Sequence, residues 1–466
     1  MKSFFKSYHY PIFPIVISFV LLVFTGCEDY LEAEDPVGQL NTTTVFNDEN
    51  TATAAVTSLY GLLRDQVLLT GNSNGLGPLM GLYADKMDYY GTPGESTEHF
   101  YTHQITPANL MVKELWDNSY HLIYMCNAAI EGLENSENLT EETKAQLGGE
   151  ALVVRAMVHF YLLNLFGDIP YIQTTDYETN TKVKRMPEAA VYDALVTDLI
   201  NAKNLLGPDY PSGERIRANK WVASALLARI YLYMGQWQLA EEESSLLVNQ
   251  QSVFILEPNP ENVFLKDSSG AILQLKPINE GDNTLEGATY IFTAPPPPFA
   301  ALNNSLVENM DPMDLRKQYW IGEVSDGSNT WYFPYKYKQN LNTGTTMEYS
   351  IVLRIAEQFL IRAEARLMQG DLSGANDDLN RIRSRAGLDS ITFSTSEAIF
   401  EALIKERNFE LFSEFGHRWF DLKRWGLANS ILAPIKPGWK ASNILLPLPE
   451  SELLLNPNLK PQNPGY

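Results

Sequence analysis

The most densely charged stretch of the sequence, residues 406–425, holds carboxylates close enough in the chain to work as an acid and a base. Glycosidases use such a pair. Helical spacing, however, places Arg407 in an apolar stripe with Ile404 and Leu411, and a half-buried guanidinium is costly unless carboxylates hydrogen-bond to it. We therefore predict a structural ion-pair network, in which carboxylates surround the arginines. Its members are Arg407, Glu410, Glu414, Arg418 and Asp421.

A second possible catalytic feature is Gly71-Asn72-Ser73-Asn74-Gly75, which fits the G-x-S-x-G pattern of a hydrolase nucleophile elbow. That elbow needs a strand directly before the serine and a helix directly after it. Only Val67-Leu68-Leu69 precedes the motif, and Gly77-Pro78 is expected to interrupt a prompt helix. The sequence favours a polar surface turn over a nucleophilic Ser73.

Metal and cofactor chemistry find little support in the sequence. His99 and His103 have the i, i+4 spacing that points two imidazoles at one metal, but the Glu of H-E-x-x-H is missing and Pro107 limits the helix. There is no phosphate-binding loop, no dinucleotide fingerprint and no paired-cysteine metal motif. We predict no metal and no cofactor.

The aromatic side chains indicate that the protein binds a ligand rather than catalysing a reaction. Residues 287–337 hold ten aromatics, about double the average density of the chain, and flat rings bury the apolar faces of sugars at little entropic cost. We select Trp320, beside Arg316, as the first candidate ligand contact. On a strand, Trp331 and Tyr332 would take opposite faces. The candidate contacts in this segment are Tyr290, Arg316, Trp320, Trp331 and Tyr332.

An earlier loop region, between Asp85 and Tyr101, adds a second group of candidates. It combines acidic and aromatic side chains with glycines. The candidate contacts here are Asp88, Tyr89, Tyr90 and Tyr101. For each aromatic residue in the two groups, packing in the core remains the alternative to contact with a ligand.

The elements that must position these residues are mainly helical. Apolar residues recur every three or four positions, with Gly and Pro between segments. The predicted helices are 45–66, 108–134, 141–166, 188–206, 217–249, 350–386 and 396–425. The spacing of Ala228, Gly235 and Ala240 recurs at 363, 370 and 375, as in the helical hairpins of tetratricopeptide repeats. Residues 251–345 instead read as an irregular, loop-rich insert with short strands at 271–275 and 331–333.

Composition limits the class of protein. Lys plus Arg number 35 and Asp plus Glu 57, for a net charge of −22, so nucleic acid is a poor partner. Hydrophobic residues make up 45% of the 466, which suits a packed core. Of the two cysteines, Cys126 lies in an apolar run and is expected to be a buried free thiol.

The amino terminus resembles a bacterial export signal. Lys2 and Lys6 precede an apolar stretch, residues 12–24, that has the length of a signal-peptide core and is short for a membrane span. Phe24-Thr25-Gly26-Cys27 then resembles a lipobox, with Phe24 in place of the more usual Leu. We predict that residues 1–26 are removed and that Cys27 is lipidated. The acidic segment that follows, Glu28–Glu32, resembles a signal for export to the cell surface.

Taken together, motifs along nearly the whole mature chain are similar to those of the SusD/RagB family, surface lipoproteins of Bacteroidetes that work in nutrient uptake. These motifs are Cys27–Leu31, Trp116–Tyr120 with Ile123 and Asn127, Gly149–Leu152 with Arg155-Ala156, Leu165–Pro170, Arg354–Glu357, Ile361–Ala365, Leu379–Gly387, the charged stretch 406–425, Leu446–Glu452 and Asn456–Tyr466.

The resemblance implies a mainly helical, tetratricopeptide-like scaffold in a single domain, residues 27–466, with the helices mainly at 45–250 and 350–430 and the insert at about 251–345. It also implies a non-enzymatic, lipid-anchored protein on the outer face of the outer membrane. There it would capture oligosaccharide, or in some members peptide, for a TonB-dependent, SusC-like transporter. Two alternatives remain: a protein–protein adaptor without a small ligand, and a surface hydrolase using Ser73 or the carboxylates near Glu410.

Overall fold

The computed structural model describes residues 45–466, so the predicted signal peptide and Cys27 lie outside the described residues. The helices in the first half of the described chain are α1 Glu49–Asp65, α2 Leu76–Tyr83, α3 Glu98–Thr102, α4 Leu110–Glu134, α5 Glu141–Phe166, α6 Tyr177–Asn180, α7 Glu188–Leu205, α8 Lys220–Tyr233 and α9 Trp237–Val248. Those that follow are α10 Leu285–Tyr290, α11 Asn304–Glu308, α12 Leu315–Trp320, α13 Ile355–Met368, α14 Leu372–Arg385, α15 Ser396–Glu410, α16 His417–Arg424, α17 Ala428–Leu432 and α18 Glu450–Leu455. The strands are β1 Met87–Tyr89, β2 Ala271–Leu275, β3 Ala300–Leu302, β4 Ile321–Ser325, β5 Thr330–Pro334 and β6 Ser350–Arg354.

The long helices form a continuous row, in which α1 packs on α4, α4 on α5, α5 on α7, and α7 on α8. The row continues through α9, α13, α14 and α15. The two predicted hairpins are present: Gly235 and Gly370 both have positive φ and end the first helix of their pair. The mainly helical, hairpin-based fold expected from the sequence is therefore confirmed.

Helix α5 lies in this row between α4 and α7. Within the described residues it is the one helix long and apolar enough to cross a membrane, and its most apolar stretch is wholly buried inside the protein. The free thiol of Cys126 is buried on the adjacent α4. Burial in a protein core explains the composition of α5, because a core helix surrounded by other helices is apolar on every face.

Buried arginine–carboxylate pairs connect neighbouring helices of the row. Arg155 on α5 donates to Asp198 on α7 at 2.8 Å and to Asn127 on α4 at 2.7 Å. Arg229 on α8 makes a two-pronged pair with Glu357 on α13 at 2.7 and 2.6 Å. Forked guanidinium pairs of this kind fix the relative position of two helices as well as adding attraction.

The insert leaves the scaffold after Val248 and returns at β6, and α9 and α13 pack together across its base. The predicted helix 350–386 is thus wrong at its start, because Ser350–Arg354 form strand β6, paired with β2. The apolar run Ile351-Val352-Leu353 is buried on both sides, which hides the alternation that normally reveals a strand. The predicted strands at 271–275 and 331–333 lie within β2 and β5.

A small antiparallel sheet, with strand order β1-β3-β5-β4, joins the insert to the early loop region. Strand β1 pairs with β3 through Asp88 and Ala301, and β3 pairs with β5 through Leu302 and Tyr332. The backbone of Tyr90 extends this ladder by donating to the carbonyl of Phe299 at 2.7 Å. Residues about 210 positions apart in the chain thereby become neighbours.

The insert is held on the scaffold by a buried charge cluster around Glu410. Its carboxylate accepts from Arg354 at 2.5 Å, from Arg316 at 3.2 Å, and from Arg385. Burial opposes ionisation of Glu410, but the guanidinium groups of Arg385, Arg354 and Arg316 outweigh it and hold its pKa below the ordinary value. Arg316 belongs to the insert and Arg385 to α14, so this carboxylate connects the two parts of the fold.

The predicted ion-pair residues all carry ion pairs, although not always with one another. Arg407 pairs with Asp421 at 2.7 Å, as the sequence suggested. Glu414 pairs with Arg354 at 2.8 Å and with Lys336 of the insert, and Arg418 pairs with Asp85 at 2.8 Å. The partners of Glu410 and Glu414 come from segments distant in sequence, which local helical spacing does not reveal.

Replacing Glu410 by Ala leaves three guanidinium groups facing one another in the core. We expect the free energy of unfolding to fall by about 3–5 kcal/mol, as measured by urea denaturation, since removing one partner strands buried charge. Glu401→Ala, at an exposed position on the same helix, is the matched control and should change stability by less than about 0.5 kcal/mol. Equal effects of the two substitutions would contradict the assigned role of Glu410.

Candidate functional site

The two groups of residues selected from the sequence meet at the small sheet. Side chains of an antiparallel sheet alternate between its faces, so the register places Asp88, Tyr90, Asn303 and Trp331 on one face. We call this the Asp88–Trp331 face. Tyr90 is 41% exposed there, while Trp331 is partly exposed. Burial raises the pKa of Tyr90, and a smaller effect of the Trp331 side chain opposes that rise.

Polar groups converge beside these rings. The carboxylate of Asp88 accepts from the Asn303 amide at 3.0 Å and from the Tyr101 hydroxyl at 3.2 Å. Burial, and then the charge of Asp88, raise the pKa of Tyr101 to about 12, so its hydroxyl keeps its proton and donates. The resulting constellation combines a carboxylate, an amide and a phenol next to two aromatic rings.

A buried cation, Lys436, lies against the Tyr101 ring of this constellation. The ammonium of Lys436 lies 3.8 Å from the centre of the Tyr101 ring and donates to the carbonyl of Leu82 at 2.9 Å. Burial lowers the pKa of Lys436 to about 8, against the attraction of Asp88 and Asp85. Lys436 and Asn303 are the two residues that sequence reasoning missed. No local pattern marks either of them, because each reaches the site through a contact distant in sequence.

The remaining early-loop candidate, Tyr89, points to the other face of β1. Its hydroxyl donates to the carbonyl of Thr92 at 2.9 Å and lies 3.2 Å from the carboxylate of Glu95. Its ring meets Phe299 edge to face at 6.0 Å between centroids. The Tyr89 side chain therefore stabilises the loop at residues 92–97 and helps to fix the backbone position of Tyr90. Tyr332 likewise lies opposite to Trp331 and packs partly against the core of the insert.

Trp320 and Arg316 are wrong as ligand contacts, because both side chains are fully buried. The Trp320 indole donates to the carbonyl of Pro260 at 2.8 Å, and its ring lies 5.0 Å from both the Arg385 guanidinium and the Lys336 ammonium. Cations held against the face of an indole are attracted by its quadrupole. Trp320 thus belongs to the Glu410 charge cluster, to which Arg316 also belongs.

Tyr290 is also wrong as a surface contact. It is buried and lines a small internal cavity with Glu286, Lys336 and Glu414. Burial raises the pKa of Glu286 to about 7. One oxygen of its carboxylate accepts from the Ser350 hydroxyl, and the other has no hydrogen-bond partner within residues 45–466.

The possible catalytic motifs do not assemble a catalytic site in the described chain. Turns, not a strand, precede Ser73, and the expected interruption at Gly77-Pro78 is wrong, because both residues lie inside α2. His99 lies 3.1 Å from the Asn109 amide. His103 is left-handed (φ 55°) at the end of α3, where its ring lies 4.3 Å from the Tyr83 ring at an interplanar angle of 52°. Burial lowers the pKa of His103 to about 3.

Comparison with known proteins decides the family. A model described as "Starch-binding associating with outer membrane" matches residues 29–232, and the SusD family model matches residues 316–432. Together they cover about two thirds of the chain. The chain belongs to the SusD family.

Curated and solved relatives match this SusD-family chain over most of its length. SusD-like protein P2 of Formosa agariphila is 29% identical, over 97% of this chain and 99% of the relative. A laminarin binding SusD-like protein has a TM-score of 0.76 at 24% identity, covering 90% of this chain and all of that one. Surface glycan-binding protein A from Bacteroides thetaiotaomicron has a TM-score of 0.76 at 19% identity, over 91% of this chain and 100% of its own. At these identities the structural matches establish the shared fold.

The raised pKa of Glu286 predicts a specific pH dependence of stability. The folded protein binds this proton up to about pH 7, whereas the unfolded chain releases it near pH 4.5, so stability falls as pH rises through this window. We expect the wild type to lose about 3 kcal/mol more than Glu286→Gln between pH 4 and pH 8.5. Urea denaturation at several pH values measures this difference.

The matched control for this prediction is Glu323→Gln, at an exposed position on β4. Its stability should follow the wild type across the same pH range. Parallel pH profiles for the wild type and Glu286→Gln would show that the Glu286 carboxyl titrates normally in the folded protein.

Proposed function

We propose that this protein is a non-catalytic surface lipoprotein that binds a glycan at the Asp88–Trp331 face. The observation that carries the proposal is the register of the small sheet, which brings Tyr90 and Trp331 from distant segments onto one face together with Asp88 and Asn303. Rings of this kind stack on the apolar faces of sugars, and the neighbouring polar groups hydrogen-bond to hydroxyls. The family description as starch-binding, and the laminarin and surface-glycan binding named for two structural relatives, support a glycan over a peptide.

The chemistry of the charge cluster argues against hydrolysis. A glycosidase acid must hold a proton near neutral pH and must reach the substrate. Glu410 is fully buried among three guanidinium groups that keep it ionised. Ser73 follows a turn, without the strand that positions a nucleophile elbow. Neither feature of the sequence provides a reactive group at the proposed binding face.

The proposed cellular role is capture at the outer membrane and delivery to a SusC-like TonB-dependent transporter. The lipobox at Phe24–Cys27 supports a lipid anchor, the acidic residues after it support export to the outer face, and membership of the SusD family supports the transporter as partner. Multiple acyl chains bind a membrane firmly, since each buried methylene contributes about 0.8 kcal/mol. The anchor thus keeps the binding face close to the pore that would import the glycan.

Isothermal titration of the protein with a panel that includes laminarin and starch oligosaccharides tests the binding site. We expect Tyr90→Ala and Trp331→Ala each to weaken the affinity for the bound glycan by about tenfold, about 1.4 kcal/mol. The loss comes from removing a ring that stacks on the sugar. Tyr177→Ala, which truncates an exposed tyrosine outside the site, is the control and should bind like the wild type.

Unchanged affinity in both site variants would reject this face as the glycan site. If no glycan or peptide of the panel binds to the wild type, the adaptor function is the correct one. Release of shorter products, abolished by Ser73→Ala or Glu410→Gln, would instead establish a hydrolase.

The lipid anchor is tested by Cys27→Ser, which removes the sulfur that would carry the lipid. We expect the wild type to be found in the outer-membrane fraction and to be cut by protease added to intact cells. The variant should leave the outer membrane, because the rest of the mature chain has no comparable apolar anchor in its sequence. Retention of Cys27→Ser in the outer-membrane fraction would contradict the proposed anchor.

A further inference from the structure

A groove of about 540 Å³ lies between α4, the segment at 170–183 and the carboxyl-terminal residues 452–459. It shares no residue with the Asp88–Trp331 face. We call it the α4–α18 groove. Its volume lies in the range that holds a few side chains or a small ligand.

The apolar surface of this groove is unusually exposed. Tyr177 is 77% exposed, Leu455 78% and Tyr124 48%, around a floor that includes Trp116 and Ile172. Single exposed apolar residues are ordinary on a protein surface, but a contiguous set around a concave site marks an interaction surface. Large aromatic rings with an aliphatic neighbour are also typical of the central contacts in protein interfaces.

The walls of the groove are fixed by hydrogen bonds, so its shape exists before anything binds. Asn456 donates to the carbonyl of Val183 at 2.9 Å, and Asn458 donates to that of Lys182 at 3.0 Å. On the other side, the Tyr120 hydroxyl donates to the carbonyl of Pro170 at 2.9 Å. A preformed groove lowers the entropic cost of binding.

The rim of the groove carries unbalanced negative charge. Asp117 and Glu452 both line it, and Lys113 pairs with Asp117. Within the described residues, Glu452 has no salt-bridge partner. Burial, and then the charge of Asp117, raise the pKa of Glu452, and the nearby cation, Lys113, only partly opposes this. A cationic group on an occupant would relieve this repulsion.

Charge complementarity also discriminates between possible occupants. The segment 28–44 of this chain carries five acidic residues and no Lys or Arg, so the rim would repel it. An anionic lipid surface would be repelled for the same reason. The groove fits an occupant that presents a positive charge next to apolar side chains.

We propose that the α4–α18 groove is a docking site for an extended segment of a partner protein that carries a Lys or Arg beside aliphatic or aromatic side chains. The apolar side chains occupy the space between Tyr124, Tyr177 and Leu455, and the basic side chain pairs with Asp117 and Glu452. Extended segments commonly bind by this combination of apolar pockets and a charged contact.

Selection of a phage-displayed random dodecapeptide library on the Cys27→Ser protein tests the proposal. We expect enrichment of sequences with a basic residue next to aliphatic or aromatic residues, at several times their frequency in the starting library. Synthetic peptides of those sequences, measured by fluorescence anisotropy, should bind with affinity that falls as salt rises. If no sequence is enriched, or if acidic sequences are, the proposal is wrong.

Variants assign the binding to the groove. Asp117→Asn combined with Glu452→Gln keeps the shape and removes the charge, and should weaken peptide binding about tenfold and abolish its salt dependence. Tyr177→Ala combined with Leu455→Ala should weaken binding at least as much. Leu341→Ala, at a leucine 75% exposed in the insert, is the matched control and should leave binding unchanged.

Two further measurements separate the other occupants. Sedimentation velocity that shows a dimer dissociated by Leu455→Ala would assign the groove to a second copy and reject a basic partner segment. Co-sedimentation with vesicles of phosphatidylethanolamine and phosphatidylglycerol, lost in the same variant, would assign it to a lipid surface. Glycan binding that is retained in all groove variants would show that this site and the proposed glycan site are independent.

Discussion

The fold depends most on one buried carboxylate, that of Glu410, and the three guanidinium groups around it. Such a cluster is costly to desolvate, and it is stable only when every charge meets a partner in good geometry. Here the partners come from the insert, from the strand that ends it and from α14, so the charge requirement is met only when insert and scaffold are correctly joined. The cluster thus provides specificity of assembly as well as attraction, with the Trp320 ring between two of its cations.

The connection between insert and scaffold through the Glu410 cluster also determines whether the binding face forms. Strands β3 and β5 belong to the insert, whereas β1 and Tyr101 belong to the early loop region, and the sheet forms only if the insert occupies its place on the scaffold. The ion pair of Arg418 with Asp85 fixes the scaffold end of the same loop. The charge cluster around Glu410 therefore holds in place the strands that carry Tyr90 and Trp331, although none of its charges reaches the surface at the Asp88–Trp331 face.

The long helices were predictable from the sequence because their apolar content, their length and the Gly and Pro residues between them are local signals. Which aromatic residues contact a ligand and which lie in the core was not predictable from the sequence. Trp320 and Trp331 lie in similar sequence surroundings and differ only in the residues that cover them. Trp320 is covered by Pro260 and Arg385, both distant in sequence. Strands β1 and β3 have three residues each, too few to show alternation. Lys436 enters the site from a carboxyl-terminal loop that no motif connects with it.

The most direct test of the central claim is a crystal structure of the protein with the glycan that binds most tightly in solution. We expect a sugar ring stacked on Trp331 or Tyr90, with hydroxyls within hydrogen-bonding distance of Asp88 or Lys436, and no movement of the buried Trp320. A glycan bound elsewhere, with the Asp88–Trp331 face unchanged and empty, would contradict the account.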